Sequence, residues 1–319
     1  MSISVLISTY NTGKFITRAV NSILNQTFTD FNIVIIDDGS EDDTENIVKN
    51  NFYDKRISFH KKQHTGLGDS LNYGISKCNR SLIARLDADD IATPYRLEYQ
   101  LNTLKECNAD IISGAYAVFK EKKILYVIQN PVNDIEIKDN LKLHSCIAHS
   151  GVTFKKKTIL EVGGYSNEII EDYDLWLRLR EKYTFHNLKE IVTLVQHRDN
   201  SISTSSLKGN AYRHITIQNN NLYNNSILLN PPNRIDYKSL AFREFHYGKK
   251  NKGRHYYIKG LCTSTVFSKL TLLFLLSLLP FHLLDTILCN KLIPRFKYYL
   301  LYFKCEYAYL RRTLIENSK

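Results

Sequence analysis

The chain is expected to fold as an α/β protein, a strand–helix array with a ligand edge, followed by a basic and mainly helical extension. Three observations predict this. Short apolar runs alternate with segments of helical periodicity through the first hundred residues. Polar clusters follow the apolar runs. Basicity is confined to the last third: residues 1–205 hold 25 Lys+Arg against 27 Asp+Glu, a net of −2, whereas residues 206–319 hold 18 against 5, a net of +13.

The elements follow in order. Ile3–Ser8 (ISVLIS) reads as a buried strand. Over Thr12–Gln26, Phe15, Ile16, Ala19, Val20, Ile23 and Leu24 recur at helical spacing. Phe31–Asp37 (FNIVIID) is a second strand, Asp42–Phe52 a short helix and Ile57–His60 a third strand. Leu67, Leu71 and Ile75 lie four apart and predict a helix over "GLGDSLNYGISKC". Ser81–Leu86 is a fourth strand, with "DADD" at its end. In "ATPYRLEYQLNTLKEC", Thr93 is the expected N-cap, Pro94 the first helical residue, and Leu97, Leu101 and Leu104 the buried face. Trp176 is expected in the core, on a helix over 172–181. Strand–helix repetition of this kind builds a parallel sheet with helices on both faces, and ligands bind at the carboxyl ends of its strands. Ser8, Thr9, Tyr10 and Asn11 follow strand one, Asp37 and Asp38 end strand two, and Asp87 and Asp89 end strand four, so one edge collects three polar clusters.

The 319 residues suffice for two domains, expected at 1–205 and 206–319. Met1 is followed by too short an apolar run for a signal peptide. None of the six cysteines forms a C-x-x-C pair, so reduced thiols in a cytoplasm are expected. A near-neutral front portion argues against a nucleic-acid substrate. A basic tail that also holds the most apolar run, 270–288, suggests peripheral contact with an anionic membrane surface. Pro280, His282 and Asp285 interrupt that run, which favours an in-plane or buried helix over a crossing one.

"RLDADD" puts three carboxylates within four positions. Like charges repel more strongly as water is excluded, so a folded edge tolerates them when a cation sits between them. Alternation places Asp87 and Asp89 on one side of extended backbone. Hard oxygen ligands with open positions suit Mg²⁺ or Mn²⁺ shared with substrate phosphates.

"SVLISTYN", "VIIDDGSEDDT", "GLGDSLNYGI", "ARLDADDIATPYRLE" and "GGYSNEIIEDYDLWLRL" occur in an order that resembles family 2 glycosyltransferases, over about residues 2–205. The resemblance implies a GT-A fold, a Rossmann-like mixed sheet, and inverting transfer of a sugar from a nucleotide-diphosphate donor with Mn²⁺ or Mg²⁺. Position by position it implies Ser8, Tyr10, Asn11 and Asp38 at the nucleotide, Asp87 near the ribose, Asp89 as metal ligand and Asp172 as catalytic base. His149, Glu171 and His197 are candidate acceptor or diphosphate contacts. The family's processive synthases carry Gln-x-x-Arg-Trp; "DLWL", around the single Trp, is not that motif, so addition of one sugar is expected. The acceptor expected with a membrane-bound tail is a polyprenyl-diphosphate-linked saccharide of a bacterial surface polysaccharide. The alternatives are a sugar nucleotidyltransferase, which lacks its glycine-rich basic loop in "STYNTGKF", a phosphatase with an Asp nucleophile, which would normally carry its motif after the first strand, and a catalytically inactive binding protein.

Overall fold

The computed structural model describes residues 2–141, 145–167 and 170–198. The segment 206–319, including 270–288, and the proposed boundary at 205 lie outside the described residues. Among the described residues, no helix is long and apolar enough to cross a membrane.

The elements run β1 (Ile3–Thr9), α1 (Gly13–Leu24), β2 (Phe31–Asp37), α2 (Thr44–Asn51), β3 (Ile57–Lys61), α3 (Leu67–Lys77), β4 (Leu82–Asp87), β5 (Ile91–Ala92), α4 (Arg96–Glu106), β6 (Ile111–Lys120), β7 (Lys123–Ile128), α5 (Asp134–Leu141), a 3₁₀ turn (His149–Gly151), β8 (Thr153–Lys155), α6 (Lys156–Glu161), α7 (Glu171–Leu179) and β9 (Phe185–Gln196). The sheet order is β3-β2-β1-β4-β8-β6-β9-β5, with β7 added to β6. The first four strands are parallel. β8 then runs antiparallel to both β4 and β6. The parallel run built by strand–helix alternation therefore ends at β4, and the sheet as a whole is mixed, as the resemblance implied. β8 reverses because Ser150 and Val152 are held against β4: Ser150 Oγ accepts the Asp87 amide, and Val152 O accepts the Arg85 amide.

Alternation along the strands divides the core between two faces. Ile3, Val5 and Ile7 of β1 and Ile33 and Ile35 of β2 pack with Ile16, Val20 and Ile23 of α1, Val48 of α2 and Leu97, Leu101 and Leu104 of α4. Leu6 and Ile36 point to the other face, against α3, where a Cβ on Gly74 would stand 2.3 Å from Leu6 Cδ1. Trp176 is fully buried on α7, which begins one residue earlier and ends two residues earlier than expected.

The start of α4 departs from the sequence expectation. Thr93 does not cap it; its Oγ1 donates to Ile191 O at 2.8 Å, and the helix begins at Arg96. Gln26, from beyond the end of α1, supplies the cap: Leu97 N donates to Gln26 Oε1 at 3.0 Å, and Gln26 Nε2 donates to Thr93 O at 2.7 Å. A long amide from another helix can satisfy an N-terminal donor as well as a local hydroxyl does.

Arg96 ties this helix to the sheet. It is 1% exposed and donates to Arg85 O (2.6 Å), Val152 O (3.1 Å) and Ser150 O (3.2 Å). Burial, and next the neighbouring Arg85 charge, lower its pKa to about 9. Arg96→Leu would take this donor from the Arg85 and Ser150 carbonyls, while Val152 O keeps the Arg85 amide. We expect a loss of about 3 kcal/mol or more, from the cost of unsatisfied buried acceptors. Urea unfolding checks this; a midpoint equal to wild type would show that the carbonyls find other donors.

Candidate functional site

Because β1, β2 and β4 are parallel, their last residues Thr9, Asp37 and Asp87 lie at one edge. The register sets Ser8 beside Ile36 on one side and Asp87 on the other. The β1–α1 and β2–α2 turns close over this edge. Asn11, at φ +51°, donates its amide to Ser40 Oγ (2.9 Å) and accepts the Glu41 amide on its Oδ1 (2.9 Å). Its side chain thus joins two loops. Gly39 sits at φ +76°, and a Cβ there would meet His64 N at 2.9 Å, so the turn needs glycine.

Asp38 is 3% exposed and faces the segment after β3. Its carboxylate accepts the Thr65 amide (3.0 Å), the Gly66 amide (2.9 Å) and the Lys62 ammonium, and stands 2.9 Å from His64 Nδ1. Burial alone would raise its pKa, but Lys62, the two amides and Ser70 outweigh burial and hold it below the ordinary range. Tyr10 is 43% exposed and stacks on His64 at a centroid distance of 4.1 Å. Tyr10, His64 and Asp38 together present a flat ring beside a fixed carboxylate.

The three carboxylates after β4 have separate partners. Asp87 takes a two-pronged ion pair from the buried Arg85, two residues earlier on the same face of the strand. Asp89 pairs with Arg198, and its carbonyl accepts Arg18 Nη2 at 2.7 Å. Asp90 is 2% exposed and accepts the Gln196 amide at 2.8 Å. Burial, then the charge of Asp87, raises the pKa of Asp89; burial, then Asp89 and Asp87, raises that of Asp90 well above the usual range. Oxygens of all three lie within 4.8 Å of one another. This all-oxygen set fits a hard divalent cation.

A second cluster holds His149, Glu171 and Asp172, with ligand atoms also within 4.8 Å of one another. Glu171 and Asp172 open α7 and are both buried. His149 Nε2 lies 3.0 Å from Tyr165 Oη, its Nδ1 3.7 Å from Glu171, and its ring meets Trp176 edge-on. Asp172 Oδ1 is buried with no hydrogen-bond partner among the described residues. The 3₁₀ turn joins the two clusters: His149 faces Glu171, while Ser150 holds the Asp87 amide. Arg85 is pulled down by burial but raised overall by Asp87, Tyr165, Glu171 and Asp90, so it senses both clusters. His197 is placed by its amide, which donates to Phe119 O at 2.7 Å, next to Arg198.

Sequence reasoning passed over Arg85, Arg18, Arg198, Lys62, His64, Ser150 and Tyr165. Arg85 was detectable as a charge inside an apolar strand, at i−2 to Asp87. The others come from distant segments. A cavity of about 680 Å³ lies beside Ser81, Leu82 and Leu104, near the amino end of β4, and holds none of the candidate residues. The converging carboxylates, rather than cavity size, mark the site.

Residues 4–163 match the family model for glycosyl transferase family 2. The chain is 31% identical over 216 residues to the Escherichia coli O-antigen biosynthesis glycosyltransferase WbnJ, covering 64% of this chain and 83% of that one. In fold it is similar to S. aureus TarS (residues 1–349) in complex with UDP-GlcNAc, with a TM-score of 0.58 and 18% identity over 82% of this chain and 80% of the other. It is also similar to the Pyrobaculum calidifontis mannosyltransferase PcManGT in complex with GDP-Man and Mn²⁺, with a TM-score of 0.53 and 11% identity over 99% and 85%.

Asp38 is held below its ordinary pKa, so its contribution to stability is full above about pH 4 and is lost as pH falls through the depressed folded value. Asp38→Asn should therefore lower Tm at pH 7, and the gap to wild type should close toward pH 2–3. A Tm gap that stays constant over that range would show that the carboxylate charge does not hold the 62–66 segment.

Proposed function

The chain is a family 2 glycosyltransferase with a GT-A-type mixed sheet, and from that premise we propose that it moves a single sugar, with inversion, from a nucleotide-diphosphate sugar to a saccharide acceptor in surface-polysaccharide synthesis. The observation that carries the mechanism is the buried Asp172 Oδ1, which has no hydrogen-bond partner among the described residues and lies in the cluster of His149, next in sequence to the Ser150 that holds the Asp87 amide.

In this reading the base of the donor lies against Tyr10 and Asp38, with Ser8 at the strand end beneath it and Asn11 shaping the loop. A ring stacked on His64 offers a π-face, and the Asp38 carboxylate, kept ionised by Lys62, accepts from a base N–H. Asp87, oriented by Arg85, is placed to accept from ribose hydroxyls. Asp89, with Asp87 and Asp90 beside it, would hold Mn²⁺ or Mg²⁺, which when bound neutralises the departing diphosphate. Asp172 takes the proton from the acceptor hydroxyl as that oxygen attacks the anomeric carbon from the face opposite the leaving group. Glu171 precedes it at the start of α7, and His149 stands 3.7 Å from the Glu171 carboxylate. His197, one residue before Arg198, is a candidate acceptor or diphosphate contact.

The basic, apolar tail supports a polyprenyl-diphosphate-linked acceptor and a peripheral position on an anionic membrane surface. High salt should strip the protein from anionic vesicles only partly, because apolar burial is not screened, whereas detergent should release it fully. Recovery in the supernatant at low salt in a sedimentation assay would remove the support for a lipid-linked acceptor.

The chemistry is tested with Asp172→Asn. The amide has no basic oxygen, so transfer should fall about 10²–10⁴-fold while donor affinity by calorimetry stays near wild type. Loss of donor binding with loss of transfer would make Asp172 a binding residue and move the base elsewhere.

A further inference from the structure

Asp89 already has a cation. Arg198 pairs with its carboxylate, and Arg18 donates both to the Asp89 carbonyl (2.7 Å) and to Gln196 Oε1 (2.6 Å). The two guanidiniums pack on one ring: Arg18 lies 4.9 Å and Arg198 4.8 Å from the centroid of Phe15. Like charges this close repel, and the arrangement holds because Asp89 and Asp90 stand beside them. Two residues before Arg198, the Gln196 amide is fixed to Asp90 Oδ1 at 2.8 Å, so the end of β9 stays at the cluster. The Arg198 side chain itself is 37% exposed, against 19% for Asp89, so it is the more solvent-accessible member of the pair.

We propose that Arg198 is a built-in counter-cation for Asp89: it compensates the carboxylate when no divalent ion is bound, and an incoming ion must displace it. The inference rests on reading Asp89 as a metal ligand. The guanidinium sits against a carboxylate that is four-fifths buried, so a divalent ion entering there meets a positive charge already in place and competes with it for Asp89. A donor diphosphate offers the displaced guanidinium a new anionic partner. Ion and donor then bind with positive coupling, each strengthening the other. The consequence is a site that holds a divalent ion weakly by itself and firmly with its substrate.

The test is Mn²⁺ binding alone, by electron paramagnetic resonance titration of the full chain, with circular dichroism confirming that each variant is folded. Arg198→Gln should bind Mn²⁺ about 10-fold more tightly than wild type, because the competing charge is gone. Arg198→Lys, which keeps the charge, should stay near wild type, and Asp89→Asn should remove the site. If Asp89-dependent binding is present but Arg198→Gln leaves it unchanged or weaker, the inference is overturned while the metal assignment stands. A lysine variant as tight as the glutamine variant overturns it as well. If no variant shows Asp89-dependent binding, the metal assignment fails and the inference goes with it.

Discussion

The site depends on how three neighbouring carboxylates are kept at one buried strand end. Asp87, Asp89 and Asp90 repel one another, and burial strengthens that repulsion. Asp87 is held by Arg85 from its own strand, and Asp89 and Asp90 by Arg198 and the Gln196 amide, two residues apart at and just past the end of β9. The partners also locate their own elements. Gln196 fixes β9 next to β5, Arg18 anchors α1 to the same turn, and Arg96 binds α4 to the carbonyls of the strand that carries the turn. Charge compensation and fold are therefore one arrangement.

That arrangement explains the mixed sheet. A purely parallel sheet would end at β4 and leave Asp87 at an edge. The 3₁₀ turn and β8 instead fold back along β4, and this return brings His149 toward Glu171 and Ser150 onto the Asp87 amide. The two clusters, Asp87–Asp90 and His149 with Glu171 and Asp172, are bridged by the three-residue turn His149–Gly151. Arg85, 2% exposed, pairs with Asp87 at this return.

Around Asn11 and Asp38, rigidity comes from loops rather than from helix or sheet. Asn11 joins the first two turns, and Asp38 gathers the amides of Thr65 and Gly66. A carboxylate bonded in this way is held ionised and fixed in orientation before a ligand arrives. Pre-organisation of that kind lowers the ordering cost of binding.

Residue order alone determined the strand–helix alternation, the apolar faces of α1, α3 and α4, and the edge at which Ser8, Asp38, Asp87 and Asp89 collect, because periodicity and the carboxyl-end rule are local or topological and need no coordinates. It also singled out Asp172. It did not reveal the cap on α4, which Thr93 should have supplied by local propensity and Gln26 supplies from 71 residues away. Nor did it reveal the reversal at β8, the pairing of Arg198 with Asp89, or the place of His149 between Tyr165 and Glu171. Those were decided by tertiary structure, for a common reason. A buried donor, acceptor or charge must find a partner wherever the packed chain brings one, and its distance along the sequence does not enter that free energy.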